Sequence, residues 1–156
     1  MKPYEIALIG VAALIILFLI YSFLNAKGLN KRISIVNPDG SSVDVSVELA
    51  DSLATHMKGL MGRKSLQETE GMLFVFGEEG FYPFWMLNTT IPLDAIYADK
   101  EGTIVEVMPM DPCGFNITNC RVYSPKNKAM YVLEVNMGFS KRNNIVIGKS
   151  KITDIR

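Results

Sequence analysis

The chain has one histidine, one tryptophan and two cysteines among 156 residues, and its sixteen basic side chains cancel its sixteen acidic ones. The charge balance gives no electrostatic grip on nucleic acid or on a membrane surface. With His56 as the lone imidazole, a serine or cysteine triad would have to be built on it alone. No nucleophile-elbow motif, no glycine loop for phosphate, no internal repeat and no low-complexity tract interrupts the sequence. Nothing in the pattern calls for a metal or an organic cofactor. At this length one domain is the natural expectation.

What is present begins with a long apolar block. Ile6 to Leu24 is nineteen residues without a charge; as a helix it would rise roughly 29 Å, about the thickness of a bilayer's hydrocarbon core. A cleaved signal peptide is the rival reading, but the block exceeds the usual hydrophobic region and Leu24-Asn25-Ala26 is a poor cleavage site. The expected organisation is an N-terminal transmembrane anchor over 1–26, a short linker over 27–32 and a soluble domain over 33–156, with the lipid bilayer as a partner through Ile6 to Leu24. Lys27, Lys31 and Arg32 outnumber Lys2, which by the positive-inside rule would leave the domain in the cytoplasm. The cysteine pair and two glycosylation sequons, Asn88-Thr89-Thr90 and Asn116-Ile117-Thr118, argue the other way, for an extracytoplasmic domain at the cell membrane.

Along the domain, Ile33 to Val36 and the alternating Val43, Val45, Val47 and Leu49 predict a hairpin around Asn37-Pro38-Asp39-Gly40. Asp51 is the expected cap of a helix running to Met61 and ended by Gly62, with Leu53, Met57, Leu60 and Met61 on its apolar face. Within it, Gly59 implies a close backbone approach, and His56 reads as a partly exposed helix residue. Met72 to Phe76 predicts a strand and Gly77 to Gly80 a turn. Phe84 to Leu87 reads as a strand covered on both faces, from which Asn88, Thr89 and Thr90 emerge. Leu93 to Ala98, Thr103 to Met108, Ala129 to Val135, Ile145 to Ile147 and Lys151 to Ile155 complete the strands, with one helical turn over Gly138 to Asn143. The fold class is mainly β with one amphipathic helix (α+β), as a curled antiparallel sheet or partly open barrel; a sheet with the helix on one face is the second form.

Four motifs carry a family resemblance: Gly59-Leu60-Met61-Gly62-Arg63, Gly71-Met72-Leu73-Phe74-Val75-Phe76, Phe84 to Asp94, and Tyr131-Val132-Leu133-Glu134. In order and spacing, over about Val43 to Ile155, the chain resembles the domain of unknown function 192 family. The resemblance implies small bacterial or archaeal proteins, often secreted or membrane-anchored, with a compact β-rich fold and no established activity. Leu87 stands where the family commonly has a lysine.

Candidate site residues follow from where polar groups flank the apolar strands. Arg63, Glu70, Asn88, Thr89 and Asp94 supply donors and acceptors, and Trp85 a flat surface for stacking. Each also has a structural reading: turn capping for Asn88 and Thr89, core for Trp85, a turn acceptor for Asp94, and a salt-bridged loop for Arg63 and Glu70. The expected function is binding of a small polar molecule or envelope saccharide. A carboxylate-dependent hydrolase using Glu70 or Asp94 with Asp111, and a purely structural or partner-docking domain, are the alternatives. Cys113 and Cys120 are expected to form a disulfide; copper bound with Met108 and Met110 is the rival, although Met61, Met72 and Met86 sit in apolar runs as core filler.

Overall fold

The computed structural model describes residues 14–17, 31–115, 118 and 120–155. The chain divides into two units, Met1–Asn30 and Lys31–Arg156. In the first, residues 14–17 are helical. Among the described residues no helix is long and apolar enough to cross a membrane; apart from 14–17, the span expected over Ile6 to Leu24 lies outside them.

The second unit runs β1 (Lys31–Val36), β2 (Ser42–Ala50), α1 (Leu53–Lys58), β3 (Glu70–Gly80), β4 (Phe84–Trp85), β5 (Leu93–Ala98), β6 (Ile104–Met110), β7 (Val122–Tyr123), β8 (Ala129–Asn136), α2 (Phe139–Arg142) and β9 (Lys151–Thr153). Seven strands form one sheet in the order β6-β5-β8-β3-β2-β1-β9, and β4 with β7 makes a small ribbon. The fold is mainly β with short helices, its sheet strongly curled into a half-barrel. An isolated bridge between Thr103 and Lys151 brings the two edges of the sheet together at one end. Every pairing is antiparallel except β2 with β3, which run parallel. A parallel pair cannot be closed by a tight turn, and the β2-to-β3 connection carries α1. The expectation of an antiparallel sheet fails at this one step.

Side chains alternate across the sheet and build two apolar clusters. One takes Ile33, Ile35, Val45, Val47, Leu73, Ile96, Ile104, Leu133, Val135 and Ile152, from all seven strands, together with Phe139 of α2. Because every strand feeds it, this cluster fills the inside of the curl. The other, on the outer face, gathers Met72, Phe74, Leu93, Ala95, Tyr97 and Val132 under Leu60, Met86 and Ile91.

Several local expectations are corrected. Every residue of β5 is buried, so the strand covered on both faces is Leu93–Ala98 and not Phe84 to Leu87. Only Phe84 and Trp85 of that run are extended, paired to Tyr123 and Val122 in the ribbon, and Trp85 is exposed. Helix α1 is capped by Ser52, not Asp51, through a reciprocal Ser52–Thr55 capping box. It ends at Gly59, whose φ of +46° closes the helix before Gly62. Truncated there, the helix leaves Leu53 and Met57 largely exposed, at 77% and 66%, and only Leu60 of the expected apolar face reaches the core. Strand β3 continues through Gly77 to Gly80, absorbing the expected turn as a register irregularity between Val75 and Gly80. Ile145 and Val146 are irregular and Ile147 opens a turn, so the strand expected there does not form.

Candidate functional site

Of the acids on the outer face of the sheet, one is buried. On β8, Leu133 and Val135 point into the curl, so alternation sends Val132 and Glu134 to the opposite side. Glu134 is paired to Met72 of β3 and Ala95 of β5, so it stands mid-sheet with a strand on each side. The Gly59 turn closes over it: a Cβ added there would lie 3.5 Å from the Phe74 ring and 4.0 Å from the Glu134 Oε2. Glycine serves both the positive φ and this approach.

Glu134 is 4% exposed, and among the described residues its carboxyl makes no hydrogen bond or ion pair. Burial pushes its pKa from 4.5 up to about 8, so the group is mostly neutral at pH 7. It lines a cavity of about 30 Å³, bounded by Phe74, Phe84, Trp85, Thr89, His56 and the α1-to-Gly59 turn, with Lys58 on its border. That space admits a water or two, or the tip of a larger molecule. Trp85, 40% exposed, forms part of the rim. Two larger depressions, about 520 Å³ along β1 and β2 and about 470 Å³ beside β9, have no buried charged side chain in their walls.

The neighbours of Glu134 are held in place by other contacts. His56 places Nε2 2.9 Å from the Ala50 carbonyl oxygen; a carbonyl can only accept, so this nitrogen bears the proton. Its ring packs 4.6 Å from Phe76 and 6.0 Å from Phe74. Phe74 and Phe84 meet edge-to-face at 4.8 Å. Tyr97, beneath them, donates its hydroxyl to the Tyr82 carbonyl at 3.2 Å. Its phenol is raised by burial first and then by Glu106 and Glu134.

The structure brings two of the six expected site residues to this cavity, Trp85 and Thr89. Thr89 is buried, its backbone bridged to Cys113 and its hydroxyl 3.4 Å from the Leu87 carbonyl. Asn88 holds φ at +53° and uses its backbone to join two loops, donating to Gly114 and accepting from Gly62. Arg63 pairs with Glu48, and Glu70 accepts the Gln67 N–H at 3.2 Å. Asp94 alternates with Leu93 and Ala95 and so faces the other side of the sheet, where its Oδ2 accepts the Ser140 N–H at 3.1 Å and caps α2. Amide and acid thus do not share one mouth.

Glu134 closes the Tyr131-Val132-Leu133-Glu134 motif and is not among the six residues expected from the sequence. The available signal was a lone charge inside the apolar run Ala129 to Val135. Among the described residues no group of three or more His, Cys, Asp or Glu could hold a metal, and Met110 is wholly buried. Cys113 and Cys120 stand at disulfide distance, Cα–Cα 5.6 Å. Their loop backs onto the Asn88-Thr89 turn through the Cys113 N–H and the Gly114 carbonyl.

Comparison with known proteins adds relatives to this geometry. The family model for DUF192, described as uncharacterized ACR, matches residues 34–152. A UPF0127 protein of Pyrococcus abyssi is 29% identical over 107 residues, 65% of this chain and 80% of its own length. Among solved structures, one from Sinorhizobium meliloti, provisionally named a transcription regulator, is 30% identical with a TM-score of 0.71, over 79% of this chain and 92% of that one. A protein of unknown function from Novosphingobium aromaticivorans is 27% identical with a TM-score of 0.68, over 78% and 82% of the two chains.

Proposed function

We propose, from the premise that the chain belongs to the DUF192 family, that it is a binding module for a small polar molecule seated at the Glu134 cavity. The observation carrying this reading is the Glu134 carboxyl, buried, without a hydrogen-bond partner among the described residues and lining an open space. Ser140 Oγ is the one fully buried side-chain oxygen or nitrogen without a partner among the described residues; the Glu134 carboxyl instead faces a space large enough for water. A ligand that offers a partner takes the place of that water, while Trp85 on the rim supplies apolar surface against which a sugar ring or similar body can lie. The cavity is far below the several hundred Å³ of an enclosing pocket, so one functional group enters and the remainder rests on the rim. Saccharides of the cell envelope suit that division.

A hydrolase using paired carboxylates is the weaker reading, because Glu134 is the one acid among the residues lining the cavity. Placement of the domain outside the cytoplasm, tethered through Ile6 to Leu24, belongs to the same proposal; it is supported by the uncharged length of that segment and by cysteines at bridging distance.

The test is a thermal-shift screen of the full chain against polar fragments and envelope saccharides. Hits on the wild type should be lost in Glu134→Gln and Trp85→Ala and kept in Asp94→Asn. Hits that bind all three variants unchanged would place the ligand elsewhere.

A further inference from the structure

Resting on that reading of the cavity, the chemistry of its walls narrows what can enter. We infer that the cavity takes a small ammonium group, the head of a primary amine, seated on the Glu134 carboxylate beneath the rings of Phe74, Phe84 and Trp85. Glu134 is the one acid lining the space, and three aromatic side chains share the walls. An aromatic face attracts a cation, and more strongly where water is excluded. An anion would find no buried cation in the walls to hold it. A metal ion would find one ligating oxygen pair where it needs several, and among the described residues no cluster of acids, histidine or cysteine completes the set. A neutral hydroxyl would satisfy the carboxyl but gain little from the aromatic walls.

The titratable groups around Glu134 are His56 and Lys58 from α1 and Tyr97 from β5; beyond Met72 on the same face stands Glu48 of β2, paired with Arg63 and outside the cavity. Lys58 is exposed at the border and makes no ion pair among the described residues. The empty site therefore has no internal counterion. It keeps its proton on Glu134 up to about pH 8 and gives it to solvent when an ammonium group arrives. The balance is one ammonium bound and one proton released, with no bond to carbon made or broken.

The experiment is isothermal titration of the full chain with methylammonium chloride at constant ionic strength, between pH 6 and 9 and in buffers of different ionisation enthalpy. Methanol and acetamide serve as neutral probes, sodium acetate as the anionic one. Affinity for methylammonium should rise about tenfold per pH unit up to pH 8 and then level off, since only the ionised fraction of Glu134 is competent. About one proton should be released per methylammonium at pH 6 to 7. Glu134→Gln should weaken binding at least tenfold, and Trp85→Ala several-fold. Binding that is independent of pH, equal in Glu134→Gln, or absent overturns the ammonium assignment. If methanol or acetamide then binds the wild type and not Glu134→Gln, the cavity remains a ligand site for neutral groups. If no probe and no screened fragment depends on Glu134, the binding reading falls with it.

Discussion

Glu134 makes folding stability depend on pH in a direction opposite to that of an ordinary surface acid. Its carboxyl ionises near 4.5 in the unfolded chain and near 8 in the folded one. Between those values the unfolded state sheds a proton that the native state retains, so stability falls as pH rises. Below pH 4.5 the group contributes no penalty, and above pH 8 the loss is complete and constant. Integrating the two titrations, the wild type should lose about 3–4 kcal/mol between pH 5 and pH 8 through this residue alone. The measurement is urea unfolding of wild type and Glu134→Gln at half-unit pH steps, read as the difference between the two proteins so that His56 and the remaining acids cancel. The difference curve should slope through pH 5 to 8 and be flat beyond. Parallel curves would show that Glu134 is charged and solvated in the native protein, and both the cavity's chemistry and the ammonium assignment would go with it.

Three further outcomes follow from contacts away from the cavity. Asp94→Ala removes the acceptor for the Ser140 N–H and should cost about 1–2 kcal/mol by chemical unfolding, with ligand affinity unchanged; lost binding in a folded variant would return Asp94 to the site. Gly71→Ala places a Cβ 2.5 Å from the Glu134 backbone oxygen and should destabilise by about 1–3 kcal/mol through overpacking of β3 against β8; wild-type stability would mean the strands part more easily than their register suggests. Reduction of the Cys113–Cys120 pair should lower stability by about 2.5 kcal/mol, from the loop-closure entropy of its short loop; an unchanged midpoint in dithiothreitol would show that the pair is not bonded in solution.

Much of the sheet could be read from period and turn chemistry. Val43 to Leu49, Leu93 to Ala98 and Ala129 to Val135 are strands because β-branched or apolar residues fill the positions that face a core, and Asn37-Pro38-Asp39-Gly40 turns as its residues demand. The parallel step between β2 and β3 was hidden, because strand direction depends on where the α1 connection lands and not on either strand's composition. Leu53 and Met57 misled for a related reason: their spacing fits a longer helix, but the left-handed turn at Gly59 stops it before that face meets the sheet. The site was harder still. Asp94 and Glu134 are both acids in apolar strands, and which one meets a space and which meets a helix N–H is decided by the sheet face. Periodicity fixes that face only relative to neighbours within a strand. Thr89 and Trp85 were found because a polar step directly after an apolar one marks an edge wherever it lies.

The contact of β9 with both β1 and the residue before β6 has a bearing on truncated forms of the protein. With Lys151–Thr153 present, the Ser34–Val36 half of the hairpin's outer strand is paired on its far edge. A chain that stopped a few residues earlier would bare that strand as a template for its counterpart in another molecule. Strand β9 thus acts as a guard against edge-to-edge association, and a form of the protein lacking it would offer that part of β1 to other chains.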